Sequence, residues 1–304
     1  MDEALVPRVR RFNRFVTQRV GALNDRYLSR DRALGEARLL WEIGEEGREV
    51  RALRAELGLD SGYLSRLLRS LEAAGLLAIG AKESDRRIRV VRPTRAGRAE
   101  RAVLDRRSNA LAVSMLRHLN DRQRARLATA MSDVELLLTA SMVAVEAVDP
   151  AHPHARHCLR EYFSELDARF DTGFDQALSI SADEHELRPP AGVLLVATLR
   201  SEPVGCGALK LHDDAPAEIK RMWVDRCARG LGLGRRLLSE LEAHATEHGA
   251  DVVRLETNRA LTEAIALYRS AGYVEVEAFN DEAYAHHWFE KKITPTLAPT
   301  DRGT

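Results

Sequence analysis

The hydrophobic period of this 304-residue chain changes once, near residue 140, and that change limits what the chain can fold into. Before it, apolar residues recur at helical spacing almost throughout. After it, short strand-like runs alternate with helical stretches. The pattern predicts a multidomain chain: a helix-dominated domain over 1–140, an α/β domain over 141–293 and a flexible tail at 294–304. No run of 18 apolar residues occurs, so a membrane partner is not expected. The charged start, Met1–Arg14, lacks a signal-peptide core. Cys158, Cys206 and Cys227 are scattered, with no CxxC pair, which fits a reducing cytoplasmic location. The net charge of zero hides an asymmetry. Residues 1–140 hold 28 Lys+Arg and 19 Asp+Glu, a net of +9. The remainder, 46−28 = 18 basic and 46−19 = 27 acidic, carries −9. A basic half joined to an acidic half suggests that the first meets a polyanion.

In the basic half, Val9–Arg19 and Arg32–Glu45 read as helices, with Asp31 as the N-cap of the second. Val50–Leu57 is a short helix that Gly58-Leu59 breaks, and Asp60-Ser61 can cap the next. There Leu64, Leu67, Leu68 and Leu71 fall on one stripe, leaving Ser61, Tyr63, Ser65, Arg66 and Arg69 on the other face. Two short helices around a tight turn make a helix-turn-helix, whose second helix suits a DNA major groove. Arg66 and Arg69 can reach guanine edges or phosphates, and the hydroxyls of Ser61, Tyr63 and Ser65 can donate to phosphate oxygens. Leu76–Ile79 and Ile88–Val91 read as a two-stranded wing around a charged tip, Gly80–Arg87, from which Arg86 and Arg87 can reach a minor groove or the phosphates. Arg95–Leu119 and Asp121–Ala140 are two long helices.

The stretch Val50–Gly97 resembles the MarR family of winged-helix regulators. Its most specific part is Glu83-Ser84-Asp85-Arg86-Arg87, followed by Val90-Val91-Arg92-Pro93-Thr94 and Gly97, with Pro93 replacing the usual Leu. The resemblance implies a double-stranded DNA operator as partner. It also implies a homodimer joined through Val6–Tyr27 and Leu111–Leu138.

In the acidic half, Met142–Val148, Gly192–Leu199, Val204–Leu211, Glu218–Val224, Val252–Glu256, Tyr273–Ala278 and Ala285–Ile293 read as strands. His154–Phe170, Arg235–His248 and Leu261–Ser270 read as helices. Between a strand and a helix lies Arg229-Gly230-Leu231-Gly232-Leu233-Gly234. Small residues there let backbone N–H groups approach an anion, and the helix start adds positive potential, which suits a pyrophosphate. A dinucleotide site also uses such a turn, but usually in the first strand–helix unit of its domain. His152, His154, His157 and Cys158 cluster without the spacing of a standard zinc site, so no metal is expected.

This half resembles the GNAT family of N-acetyltransferases over Met142–Ile293. The carriers are Arg229, Gly232 and Gly234, the preceding Glu218–Val224, and the following Ala264–Tyr273. The resemblance implies an acyl-CoA N-acyltransferase fold with acetyl-CoA as cosubstrate and an amine of a small molecule or protein as acceptor. It implies pantetheine contacts from Met222, Trp223 and Val224. It also implies a pyrophosphate cradle of Gly230, Leu231, Gly232, Leu233, Gly234 and Arg235 with Arg229 assisting. The position of the family's cofactor-contacting Asn is Leu261 here, and Asn258 either substitutes for it as a cofactor contact or shapes the loop. Tyr268 is the candidate acid for the leaving sulfur, and either Glu218 or Glu256 the candidate base. Three readings follow: a regulator fused to an active acetyltransferase, a DNA-binding sensor of acetyl-CoA or an amine, or an acetyltransferase using the winged helix only for dimerisation.

Overall fold

The computed structural model describes residues 4–293 apart from positions 25, 83, 181 and 214. Glu83 and the tail expected at 294–304 lie outside the described residues. The chain divides into two compact units, Met1–Ala130 and Met131–Thr304, earlier than the boundary expected at 140. The division falls inside one continuous helix, Asp121–Ser141.

The first unit contains α1 (Leu5–Arg19), α2 (Leu34–Ile43), β1 (Arg48–Glu49), α3 (Val50–Leu57), α4 (Ser61–Ala73), β2 (Leu77–Lys82), β3 (Asp85–Pro93) and α5 (Arg95–Leu116). The long helix that follows is α6 (Asp121–Ser141). Asp60 caps α4, its carboxylate accepting from the Tyr63 N–H at 2.9 Å. Gly58 ends α3 in the left-handed region, at φ 59°. Leu64, Leu67, Leu68 and Leu71 of α4 are all buried, with Leu39 and Leu40 of α2, Leu53 of α3, Val91 of β3 and Leu104 of α5 in the same core. Each such burial contributes about 1.5–3 kcal/mol. Strand order β1-β3-β2 makes the wing. Its strands are longer than expected, so Arg86 and Arg87 lie within β3 rather than in a loop. Asp31 is not a cap: α2 begins at Leu34, and its N-cap is Ala33.

The second unit contains β4 (Ala144–Ala147), α7 (Pro153–Arg169), β5 (Gly192–Leu199), β6 (Glu202–Lys210), β7 (Ala217–Val224), α8 (Leu233–Glu247), β8 (Val252–Thr257), α9 (Thr262–Ser270), β9 (Val274–Val276) and β10 (His287–Lys292). The seven strands form one sheet in the order β4-β5-β6-β7-β8-β10-β9. Both faces are covered, which explains the continuous apolar run of β5. Leu194 and Val196 pack with Ala155 and Cys158 of α7. Val193, Leu195 and Ala197, pointing the other way, pack with Leu237, Leu238 and Leu241 of α8. His152 is the N-cap of α7, its ring nitrogen accepting from the His154 N–H at 3.2 Å.

Candidate active site

Two features of β7 open the sheet. β7 pairs in parallel with β8 only at Ala217↔Val253 and Glu218↔Arg254; beyond Glu218 no further pairs join the two strands. On its other side, Lys220 pairs with Ala208 and Trp223 with Cys206, so Arg221 and Met222 together oppose Gly207 alone. That is a β-bulge, and Arg221 sits in it at φ 55°, a conformation a long side chain rarely adopts.

A cleft of about 520 Å³ lies beside the end of β7, lined by Met222, Trp223, Val224, Arg229, Gly230, Gly232, Leu233, Gly234, Arg235 and Tyr268 among others. α8 begins at Leu233, two residues before the expected start at Arg235. Gly232 is its N-cap at φ 74°, and Gly230 sits at φ 83°. A Cβ is strained at both angles, which explains the glycines. The first-turn amides of α8, from Leu233, Gly234 and Arg235, lack intrahelical acceptors and supply the positive end of the helix dipole. Leu231 does not line the cleft; it packs on the core. Arg229 lines it with its head engaged: Nε donates to the Val224 carbonyl at 3.0 Å, and Nη2 donates to both oxygens of Glu165 at 2.7 and 2.6 Å. Glu165 also accepts from Trp223 Nε1 at 3.0 Å. It is a residue that the sequence reading missed. The only local sign of it is Arg169 four residues on, whose Nη1 lies 3.3 Å away.

A second cavity of about 110 Å³ adjoins the cleft; the two share Tyr162, Leu166, Met222, Leu261, Ala264 and Tyr268. Glu256 lines this inner cavity, and Glu218 lines neither. Both carboxylates belong to one buried network. Arg254 Nη2 donates to Glu218 at 2.6 Å, the Lys220 ammonium lies 3.3 Å from Glu218, and it also pairs with Glu256 Oε1. His212 Nε2 is 3.5 Å from Glu218. Burial alone would raise the pKa of Glu218. The hydrogen bond from Arg254 and the charges of Lys220 and Arg254 outweigh burial and hold its carboxyl below the usual range. Glu256 differs: its Oε2 is buried and has no hydrogen-bond partner. A sequence signal for Lys220 did exist. Glu218-Ile-Lys220 on β7 and Arg254-Leu-Glu256 on β8 are complementary at period two.

Tyr268 is 5 % exposed, and burial, with the negative charge of Glu256, pushes its phenol well above the ordinary tyrosine value. It therefore stays protonated at neutral pH, as a proton donor must. Asn258 lines the inner cavity and not the cleft expected for a cofactor contact. Its Nδ2 donates to the Tyr284 carbonyl at 2.7 Å, and its Oδ1 accepts from the Ala260 N–H at 2.8 Å, so its amide holds two loops.

In the first unit, Ser61, Tyr63, Ser65, Arg66, Arg69, Arg86 and Arg87 are all exposed. The Arg66 guanidinium lies 5.7 Å from the centre of the Tyr63 ring, and Arg69 Nε donates to the Ser65 carbonyl at 3.2 Å. Arg87 Nε lies 3.3 Å from Asp85. Leu5, Val6, Val9, Phe12 and Phe15 of α1 are exposed, and α1 buries no residue. Met131 and Leu136–Leu138 of α6 are exposed as well. Among the described residues, no helix is long and apolar enough to cross a membrane.

Two family models match this chain. The model of the acetyltransferase (GNAT) family matches residues 155–273, and the model of the MarR family matches residues 31–88. An uncharacterized N-acetyltransferase of Schizosaccharomyces pombe is 30% identical over 127 residues, covering 40% of this chain and 75% of that protein. The IAA acetyltransferase of Azospirillum brasilense is 38% identical over 94 residues, covering 31% of this chain and 61% of that protein. The chain spans less than two thirds of that relative, and 29% and 30% of two others. A crystal structure of a GNAT-family acetyltransferase from Staphylococcus aureus aligns with a TM-score of 0.42 at 18% identity, over 50% of this chain and 100% of that one.

Proposed function

We propose, on the premise that this chain belongs to the GNAT acetyltransferase family and carries a MarR-family region ahead of that domain, that it transfers an acetyl group from acetyl-CoA to an amine by direct attack and binds double-stranded DNA. The observation that carries the first part is the meeting of the outer cleft and the inner cavity at Tyr162, Met222 and Tyr268. A donor in one and an acceptor in the other would come together there.

The outer cleft fits acetyl-CoA. The backbone of Met222–Val224 faces a gap with no partner strand and suits an extended amide-bearing arm. The glycine turn and the free amides of the first turn of α8 suit a pyrophosphate. Arg229, tied to Glu165 and Val224, shapes that turn. When bound, acetyl-CoA supplies the acetyl group as a thioester. Glu256 accepts one proton from the acceptor ammonium through its unpartnered oxygen, freeing the nitrogen lone pair. The C–N bond forms as the C–S bond breaks; the nitrogen sheds its second proton to solvent, and the Tyr268 hydroxyl supplies the proton that the departing sulfur keeps as the free thiol. Solvent then reprotonates Tyr268 and takes up the proton held by Glu256, so that one net proton is released per amine acetylated.

Thiol release in the presence of amines tests this. The expected result is one acetylated amine per thiol, with Tyr268→Phe lowering kcat about 10²-fold or more while acetyl-CoA still binds. Acetyl-CoA binding without any acetylated amine would favour the sensor reading instead. The DNA-binding part rests on the exposed basic face of α4 and on the net +9 of residues 1–140. The exposed apolar faces of α1 and α6 support a homodimer, which sedimentation of the full chain tests.

A further inference from the structure

The chemistry of the inner cavity narrows the acceptor. Phe163, Phe170, Phe174 and Tyr284 line it as one group of rings. Phe163 and Phe174 stack at 5.8 Å between centroids, and Phe174 lies 4.9 Å from Tyr284 and 5.9 Å from Phe170. The charged and amide side chains around them are largely engaged within the protein. Glu282 accepts from Ser179 Oγ at 2.9 Å, from the Ile180 N–H at 2.6 Å and from the Tyr284 N–H at 3.3 Å. Asn258 bridges two backbone groups. Lys220 lies between two carboxylates, and Arg221 donates to the Ala182 carbonyl at 2.7 Å with its guanidinium 5.1 Å from the Phe163 ring. Among the described residues lining the cavity, the buried side-chain atom left without a partner is Glu256 Oε2, on a side chain 8% exposed. A buried carboxylate oxygen in that state demands a donor.

From this we infer that the acceptor is an arylalkylamine: one primary ammonium on a short chain, carried by a single flat ring. The ammonium answers Glu256, and the ring lies among Phe163, Phe174 and Tyr284, where aromatic packing adds to burial. Size agrees, since a cavity of about 110 Å³ is of the order of one that holds a benzene-sized ring. A polyamine would bring further ammonium groups to a wall of rings with no second unpaired carboxylate. The inference rests on the acetyl-transfer reading for its chemistry, but not for its binding.

The test uses the full-length protein and four probes: 2-phenylethylamine, butylamine, spermidine and a short peptide with a free amino terminus. Calorimetry without acetyl-CoA reads binding, and thiol release with acetyl-CoA reads turnover. 2-Phenylethylamine is expected to bind at least tenfold more tightly than butylamine and, where turnover occurs, to have a tenfold higher kcat/KM. Phe174→Leu, with Phe174→Ala as the larger truncation, should lower the binding of 2-phenylethylamine several-fold more than that of butylamine. Preferential binding of 2-phenylethylamine with no turnover of any amine would refute acetyl transfer and leave the arylalkylamine standing as the ligand of the inner cavity. Equal or tighter binding of butylamine, spermidine or the peptide would overturn it, as would Phe174 variants that weaken both monoamines alike.

Discussion

Glu218→Gln and Glu256→Gln should give mirror-image phenotypes. Glu218 sits between Arg254 at 2.6 Å and Lys220 at 3.3 Å and lines neither cavity. Neutralising it leaves half-buried Arg254 without its carboxylate and buried Lys220 with Glu256 alone. Breaking such a pair costs about 3–5 kcal/mol, and the lower figure applies because glutamine still accepts one hydrogen bond from Arg254. At roughly 2–4 °C per kcal/mol for a unit of this size, Tm should fall by about 6–12 °C. Assayed below that melting point, its kcat should stay within about threefold of the parent. In Glu256→Gln, Lys220 keeps Glu218 as a partner, so the loss of Tm should be smaller. What disappears is the proposed proton acceptor, for an expected loss of about 10²–10⁴ in kcat, or roughly 3–5 kcal/mol on the barrier. Thermal melts and thiol release on the same preparations separate the two. A Glu218→Gln variant with normal Tm and abolished turnover, beside an active Glu256→Gln, would refute the assignment of the base by cavity position.

Three further outcomes are expected. Gly97→Ala should destabilise the first unit by several kcal/mol, since its Cβ would lie 2.0 Å from the Leu76 carbonyl oxygen; an unchanged melting curve would contradict this packing. The double variant Arg66→Ala with Arg69→Ala should weaken binding to duplex DNA and flatten its log–log salt dependence by roughly 1–2 units; an unaltered slope would leave α4 without a DNA role. Asp149 is held at about 2, below its ordinary 3.8, by its hydrogen bonds from Arg188 and the Ala151 N–H. A depressed folded-state pKa contributes stability present above 3.8 and lost as pH falls toward 2. Asp149→Asn should therefore flatten the urea-stability profile between about pH 4 and 2 relative to the parent, and parallel profiles would disprove the linkage.

Local patterns carried most of the fold. The leucine stripe of α4 and the glycines at 230 and 232 are set by helical period and backbone sterics, both of which act over a few residues. What stayed hidden depends on distant partners. Arg221 adopts a positive φ because β6 pairs on either side of it, and nothing in an arginine announces that. Arg229 reads as a free cation until Glu165, 64 residues earlier, is brought against it. Glu218 and Glu256 are equivalent as acids on strands; only the third dimension gives one two cations and leaves the other an oxygen facing a cavity. Of the two roles the sequence leaves open for Asn258, shaping the loop also depends on a distant partner, since Tyr284 comes from a late loop.

In the proposed reaction, acetyl-CoA in the outer cleft and an amine in the inner cavity meet at Tyr268. Mass measurement of the amine product, made alongside thiol release, addresses it most directly. One N-acetylated amine is expected for every thiol freed, with both signals falling together by about 10²-fold or more in Glu256→Gln. Thiol release with no acetylated amine, or equal product yield from Glu256→Gln and the parent, would contradict it.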